Sequence, residues 1–364
     1  MKFQFHLRTL FFLLSATAFA GLSSAVWACC PAPPSGKAVV NADQTVILIW
    51  DPATKVEHFI RKASFKSEAA DFGFLVPSPT LPELAEAGNE AFPLLQKLTA
   101  PEIIQQPRPS RGMSCGCSKD AENKSAGSAA PPPVRVLAEQ EVAGFHAVVL
   151  EAKSSAALVD WLKTNGYAFP PEVAAWAKPY IGEGWKITAL KVSKNKDGGA
   201  DKSIAAAALR LSFKTDRPLF PYREPDFKDA AKTLGARDRL LRIYFISDAR
   251  YEGALTKEVP WTGQVAWSNK VVAGDRKQAL EFLKLPETAG PNEWRLTEFE
   301  DHWPYRVAPA DVYFSASENQ DPVKRPPIIE YVSSWLPGDV TFYALAAVVV
   351  FPPIYLRRRR RNRT

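Results

Sequence analysis

Apolar and polar positions along the chain alternate in ways that predict short strands interspersed with a few helices. Val46-Ile47-Leu48-Ile49-Trp50 is an unbroken apolar run of strand length, the pattern of a strand buried on both faces. Asp51-Pro52 turns the chain, and residues 56–65 alternate as a second strand. Residues 72–77 read as a third. A helix is predicted to begin around Pro82, with Glu83 and Glu86 near its positive end. Beyond residue 135, strands are predicted at 146–150, 185–192, 204–213, 240–246, 263–267, 294–300 and 312–314. Ser154 is placed to cap a helix over 156–164, with Leu158, Trp161 and Leu162 on one face and Asn165-Gly166 as its stop. A second helix is predicted over 172–180. Asp275 is placed to cap a third that runs to Lys284 and ends before Pro286. The mixture has no regular βαβα beat, so the expected class is α+β, with mixed, mainly antiparallel sheets and packed helices.

The two ends break this pattern. Lys2 and Arg8 precede an apolar run from Leu10 to Leu22, and small residues lead to Ala28. That is the layout of a secretory signal peptide over residues 1–28, with cleavage before Cys29. A retained N-terminal anchor is the alternative, although the run is shorter than the ~20 residues a span needs. Lipoprotein processing at Cys29 is another, and Trp27 counts against it. At the far end, residues 340–356 are uncharged and mostly apolar. Extended back to Trp335, the stretch is long enough to cross a bilayer, with Trp335 and Tyr355 at its interfaces. Arg357, Arg358, Arg359, Arg360, Arg361 and Arg363 follow, which orients this end to the cytoplasm. The expected product is a single-pass cell-membrane protein with its body on the periplasmic or extracellular side. A buried core helix, or a sorting signal that is later cleaved, are the competing readings of 335–364.

Between the ends, two blocks are expected: a β-rich block over 29–105 and an α+β block over 135–314. A Pro/Ser/Gly-rich linker over 106–134 separates them, and a polar, Pro-rich stalk over 315–334 precedes the span. Charge changes the picture less than its total suggests. The net +7 would suit a nucleic-acid binder. Yet the two ends hold eight of the 46 basic residues, leaving 38 against 39 acids in the body. No basic footprint for nucleic acid is left, and the expected partners are the membrane and another envelope protein.

Four cysteines form two pairs, Cys29-Cys30 and Cys115-Gly116-Cys117. An even count in an oxidising compartment favours disulfides. Bridges from one pair to the other would close loops worth ~4 kcal/mol in the chain-entropy model. Four thiolates holding Zn²⁺ or Cu⁺, or free redox-active thiols, are the alternatives, and the pairing does not follow from sequence. No other cofactor is expected. Glu298, Glu300 and His302 alternate on one face of a predicted strand, a set able to bind a metal or to exchange protons. The plainer reading is the wet face of a sheet, opposite Phe299 and Trp303. His146, beside Phe145, reads as a core or edge histidine. There is no nucleophile elbow, phosphate loop or dinucleotide fingerprint.

Several landmarks carry a family resemblance. They are Cys29-Cys30-Pro31, Phe72-Gly73-Phe74-Leu75-Val76-Pro77-Ser78-Pro79, Leu81-Pro82-Glu83-Leu84 and Ala147-Val148-Val149-Leu150-Glu151-Ala152. Others are Leu209-Arg210-Leu211-Ser212-Phe213, Pro218-Leu219-Phe220-Pro221 and Asp311-Val312-Tyr313-Phe314. On these the chain resembles the bacterial family known as domain of unknown function 2330, over most of residues 29–314. Relatives usually have Gly and Phe residues between two early cysteines, which are adjacent here, so their pairing does not transfer. The resemblance implies export and an anchored layout, and it assigns no activity and no functional residue. The expectation is a non-enzymatic binding or structural ectodomain, with an envelope enzyme of unknown class or a cysteine-based metal or redox module as alternatives.

Overall fold

The computed structural model describes residues 30–32, 44–62, 64–65, 73–107, 134–167, 172–192, 204–205, 207–225, 239–256, 259–303, 308 and 310–332. The strands are β1 (Cys30–Ala32), β2 (Gln44–Asp51), β3 (Val56–Arg61), β4 (Ser64–Phe65), β5 (Gly73–Ser78), β6 (Glu83–Ala87), β7 (Ile103–Pro107), β8 (Arg135–Val142) and β9 (Phe145–Glu151). They continue with β10 (Lys186–Val192), β11 (Ile204–Ala205), β12 (Ala208–Lys214), β13 (Leu219–Phe220), β14 (Arg239–Ser247), β15 (Tyr251–Ala254), β16 (Gln264–Val271), β17 (Trp294–Trp303), β18 (Val312–Ala316) and β19 (Ile328–Val332). The helices are α1 (Ala91–Leu98), α2 (Ser155–Thr164), α3 (Glu172–Gly182) and α4 (Ala273–Phe282). The class is α+β.

The chain divides into two compact units, residues 1–99 with 119–324, and residues 100–118 with 325–364. Within the first, a seven-stranded sheet runs β16-β17-β14-β2-β3-β12-β6 and a five-stranded sheet runs β1-β5-β10-β9-β8. Every pairing in both is antiparallel except β14 with β2. Strands from 44–87 and from 135–303 thus alternate within the same sheets.

Period-two burial explains the layering. On β2, Val46, Leu48 and Trp50 join one apolar cluster, while Ile47 and Ile49 join another. On β5, Phe74 and Val76 share the first cluster with β2, while Leu75 faces a third. The first cluster therefore lies between the two sheets. The outer face of the seven-stranded sheet is covered by α1 and α4 through Phe92, Leu95, Ala279 and Leu280. The outer face of the five-stranded sheet is covered by α2 and α3 through Leu158, Trp161, Leu162, Trp176 and Tyr180. The unit is a four-layer helix–sheet–sheet–helix sandwich. A small sheet, β13-β18-β15, puts Phe220 and Phe314 into the inter-sheet layer and Leu219 against the α2/α3 layer.

Local chemistry sets several boundaries. Ser154 caps α2 by accepting from the Ala157 N–H at 3.1 Å, and Gly166 follows it with φ +73°. β8 and β9 are joined by Ala143-Gly144, both at positive φ, the geometry of a tight two-residue hairpin. Two expectations are corrected. Residues 83–87 form β6, not a helix, because Leu84, Ala85 and Ala87 pair across to β12; the helix begins only at Ala91. Glu-Leu-Ala-Glu-Ala has no helical stripe, and sheet pairing overrides its propensity. Asp275 lies in the first turn of α4, whose N-cap is Val272, so it favours the helix as a first-turn charge instead of a cap.

In the second unit, β7 and β19 form a two-stranded parallel ribbon. β19 lies within the stretch read from the sequence as a stalk. Among the described residues no helix is long and apolar enough to cross a membrane. The expected signal peptide, span and Arg-rich tail, and Cys29, Cys115 and Cys117, lie outside the described residues.

Candidate functional site

Glu298, Glu300 and His302 do fall on one face of β17, the face that packs on α1 and α4 at its start. Trp294 and Leu296 are covered there, Glu298 is buried, Glu300 is half-buried and His302 is exposed. The face runs from dry to wet along one strand. Arg242, opposite on β14, gathers the two glutamates: its Nε lies 2.7 Å from Glu298 Oε1, and its Nη2 donates to Glu300 Oε1 at 2.6 Å. Burial disfavours the Arg242 charge, but the bond to Glu300 and the neighbouring Tyr244, Glu298 and Glu300 raise its pKa above the ordinary value. The two carboxylates are therefore ion-pair partners of one guanidinium, and no group of three or more metal-ligating side chains occurs among the described residues. Cys30, on β1, pairs with Leu75 of β5.

The other face of β17 holds one acid that the pattern did not single out, Asp301, and a second, Asp311, stands just before β18. Asp301 is fully buried and accepts from Tyr222 Oη at 2.6 Å, Thr262 Oγ1 at 2.6 Å and Trp261 Nε1 at 3.1 Å. Asp311 is 2% exposed and accepts from Tyr180 Oη at 2.8 Å and from the backbone N–H groups of Tyr222 and Arg223. Burial raises the Asp311 pKa, with Arg223 and these three donors opposing. Tyr222 links the two acids through its phenol and its N–H. The tie spans the sandwich, since Tyr180 belongs to α3 and Asp301 to the seven-stranded sheet. Trp261 sits edge-on to Tyr222 and Phe314 and packs on Phe299. A sequence signal did exist: Asp301 occupies an inward position between Phe299 and Trp303, where an apolar residue is expected.

Two further polar groups lie inside the sheets. Glu57 is buried between Trp50 and Phe213 on the neighbouring strands. One oxygen accepts from the Leu219 N–H at 2.9 Å, and the other has no hydrogen-bond partner among the described residues. Burial pushes its pKa up to about 8, against that single N–H bond. On the α1/α4 side, His58 Nδ1 lies 2.8 Å from Ser212 Oγ. Burial and the nearby Arg210 lower the His58 pKa to about 4, with Asp51 opposing. Arg210 itself caps the C-terminal end of α4, donating to the carbonyls of Leu283 and Lys284. His146 lies on β9, an inner strand of the five-stranded sheet, and is half-buried within reach of Glu139 and Glu141.

The acids thus act as internal hydrogen-bond hubs, and among the described residues the His58–Ser212 pair sets a neutral imidazole beside a hydroxyl. No curated protein and no solved structure matches the chain. The family described as an uncharacterized protein conserved in bacteria (DUF2330) matches residues 24–315, most of the length, and the chain belongs to that family.

Proposed function

We propose that the chain is an exported envelope protein, anchored by a single span at 335–356, whose outer part is a non-enzymatic binding or structural domain. The observation that carries the second half is how the acids are used. Glu298 and Glu300 are held by one arginine, and Asp301 and Asp311 each accept from three donors on other segments of the chain. Carboxylates used in this way fasten elements together. The anchored half rests on the sequence: the basic start, the apolar stretch from Trp335 and the six terminal arginines. The four cysteines serve as a disulfide framework on this reading.

The test has two parts. The mature chain should begin at Cys29 by intact mass, resist alkaline extraction from membranes, and show no alkylatable thiol before reduction. A full-length chain that is released by alkali, or four free thiols, would overturn the anchored or the disulfide part respectively. In a deletion strain, the variant Glu298→Gln with His302→Ala should complement as well as the parent once its folding is verified. The observation that favours an enzyme instead is the His58–Ser212 pair. If Ser212→Ala folds normally and fails to complement, the enzyme reading takes precedence.

A further inference from the structure

Both faces of the β7/β19 ribbon leave large apolar side chains exposed among the described residues. Ile103 is 57% exposed, Ile328 50% and Tyr331 48%, with Ile104 and Ile329 also exposed. Parallel strands are normally buried on both faces, and a lone two-stranded pair is marginal in water. Register sorts its side chains. Ile103 pairs with Ile328, Ile104 with Ile329, Gln105 with Glu330 and Gln106 with Tyr331. Paired residues share a face, so one face presents Ile104, Ile329, Tyr331 and Gln106 with no charge. The opposite face carries the one charge of the ribbon, Glu330.

β19 ends at Val332, three residues before Trp335, where the apolar stretch begins. Three residues reach ~10 Å at most. The headgroup layer on each side of the hydrocarbon core is roughly 5–8 Å deep. A chain that enters the bilayer at Trp335 therefore has the end of β19 within ~10 Å of the hydrocarbon core, in the headgroup layer or a few ångströms above it. Tyr331 is also of the type that settles at that depth.

We infer that the β7/β19 ribbon lies flat on the outer surface of the bilayer, with Ile104, Ile329 and Tyr331 in the lipid interface and Glu330 turned to water. The occupant of the bare face is the lipid surface itself, favoured over a second copy of the chain by the shortness of the connection to Trp335. The inference rests on the anchored reading proposed above. It makes the ribbon a second, interfacial attachment that limits how the chain can swing about its span.

The test uses the full chain in vesicles of phosphatidylethanolamine and phosphatidylglycerol. Photoreactive benzoylphenylalanine replaces one residue at a time at Ile104, Ile329, Tyr331, Gln105 and Glu330, and at Leu345 within the expected span. Lipid adducts, read by mass spectrometry, are expected at Ile104, Ile329, Tyr331 and Leu345 and to be lost at Gln105 and Glu330. Adducts at Leu345 with none at the three ribbon positions would overturn the interfacial placement alone. Chain-to-chain adducts at Ile329 would replace the lipid with a second copy. No lipid adduct at Leu345 would overturn the anchored reading itself.

Discussion

Tyr222 donates its phenol to Asp301 at 2.6 Å while its own backbone N–H is held by Asp311, so one residue joins two buried acids from different layers. Tyr222→Phe removes a donor from a buried carboxylate and leaves the rest of the packing in place. It is expected to cost ~1.5–3 kcal/mol, the range for hydrogen bonds to charged groups. Denaturant unfolding of the detergent-solubilised chain measures it. In combination with Asp301→Asn the losses should add to less than their sum, because the two changes break the same bond.

Trp261 stands between two glycines. A Cβ at Gly253 would come within 2.5 Å of its ring and 2.9 Å of Val312, and one at Gly263 would collide with the other side of the indole. Gly253→Ala must tilt the ring and stretch its N–H bond to Asp301. The expected loss is ~1–3 kcal/mol, as for other overpacked cores. A lower thermal midpoint, with a red shift in the emission of this tryptophan, is the check.

Glu57 and His58 give opposite dependences on pH. Below pH 4.5 the Glu57 carboxyl is protonated both folded and unfolded. As pH rises the unfolded chain loses that proton, while the folded one keeps it until about 8. Stability from this group falls across that window, by ~1.4 kcal/mol for each pKa unit of difference actually present. His58, lowered from 6.5 to about 4, works the other way: its stability is present above 6.5 and is lost as pH falls through about 4. Glu57→Gln should therefore flatten the decline in stability between pH 5 and pH 8. Urea midpoints of parent and variant at those two pH values decide it, and equal slopes would remove Glu57 as the source.

Arg210 closes the C-terminal end of α4 and also sits beside His58. Arg210→Met should cost ~1–3 kcal/mol for the two uncapped carbonyls. It should also raise the His58 pKa toward the ordinary value, since a neighbouring positive charge is removed. Proton NMR titration of the His58 ring reads the second effect, which mere loss of stability would not produce.

Much of this fold is legible in the chain because its strands obey period two. Val46 through Trp50, His146 through Leu150 and Leu240 through Ile246 stand where the apolar pattern placed them. What escaped were elements whose identity depends on a partner. β6 becomes a strand only because β12 lies beside it, and β7 and β19 exist only through each other. Glu298 and Glu300 were found by alternation, but nothing local announces Arg242, which arrives from another strand to bind both. Asp301, Asp311 and Glu57 were overlooked for the opposite reason. Each is an acid at an inward position, where pattern reading expects an apolar residue.

The parallel pairing of β14 with β2 has a consequence for the order in which the molecule can form. β2 is the inner strand of the seven-stranded sheet, yet the neighbour that closes one of its edges comes roughly two hundred residues later in the chain. A chain made or threaded from its N-terminus must hold Val46 through Trp50, its most apolar strand, with that edge open until β14 follows. Loop closure over such a span is slow, and an open apolar edge invites wrong pairing in the interval. The hairpin of β2 with β3, joined through the Asp51-Pro52 turn, protects the other edge at once. Completion is therefore a late, single event, and the half-made chain is the form that most needs a chaperone.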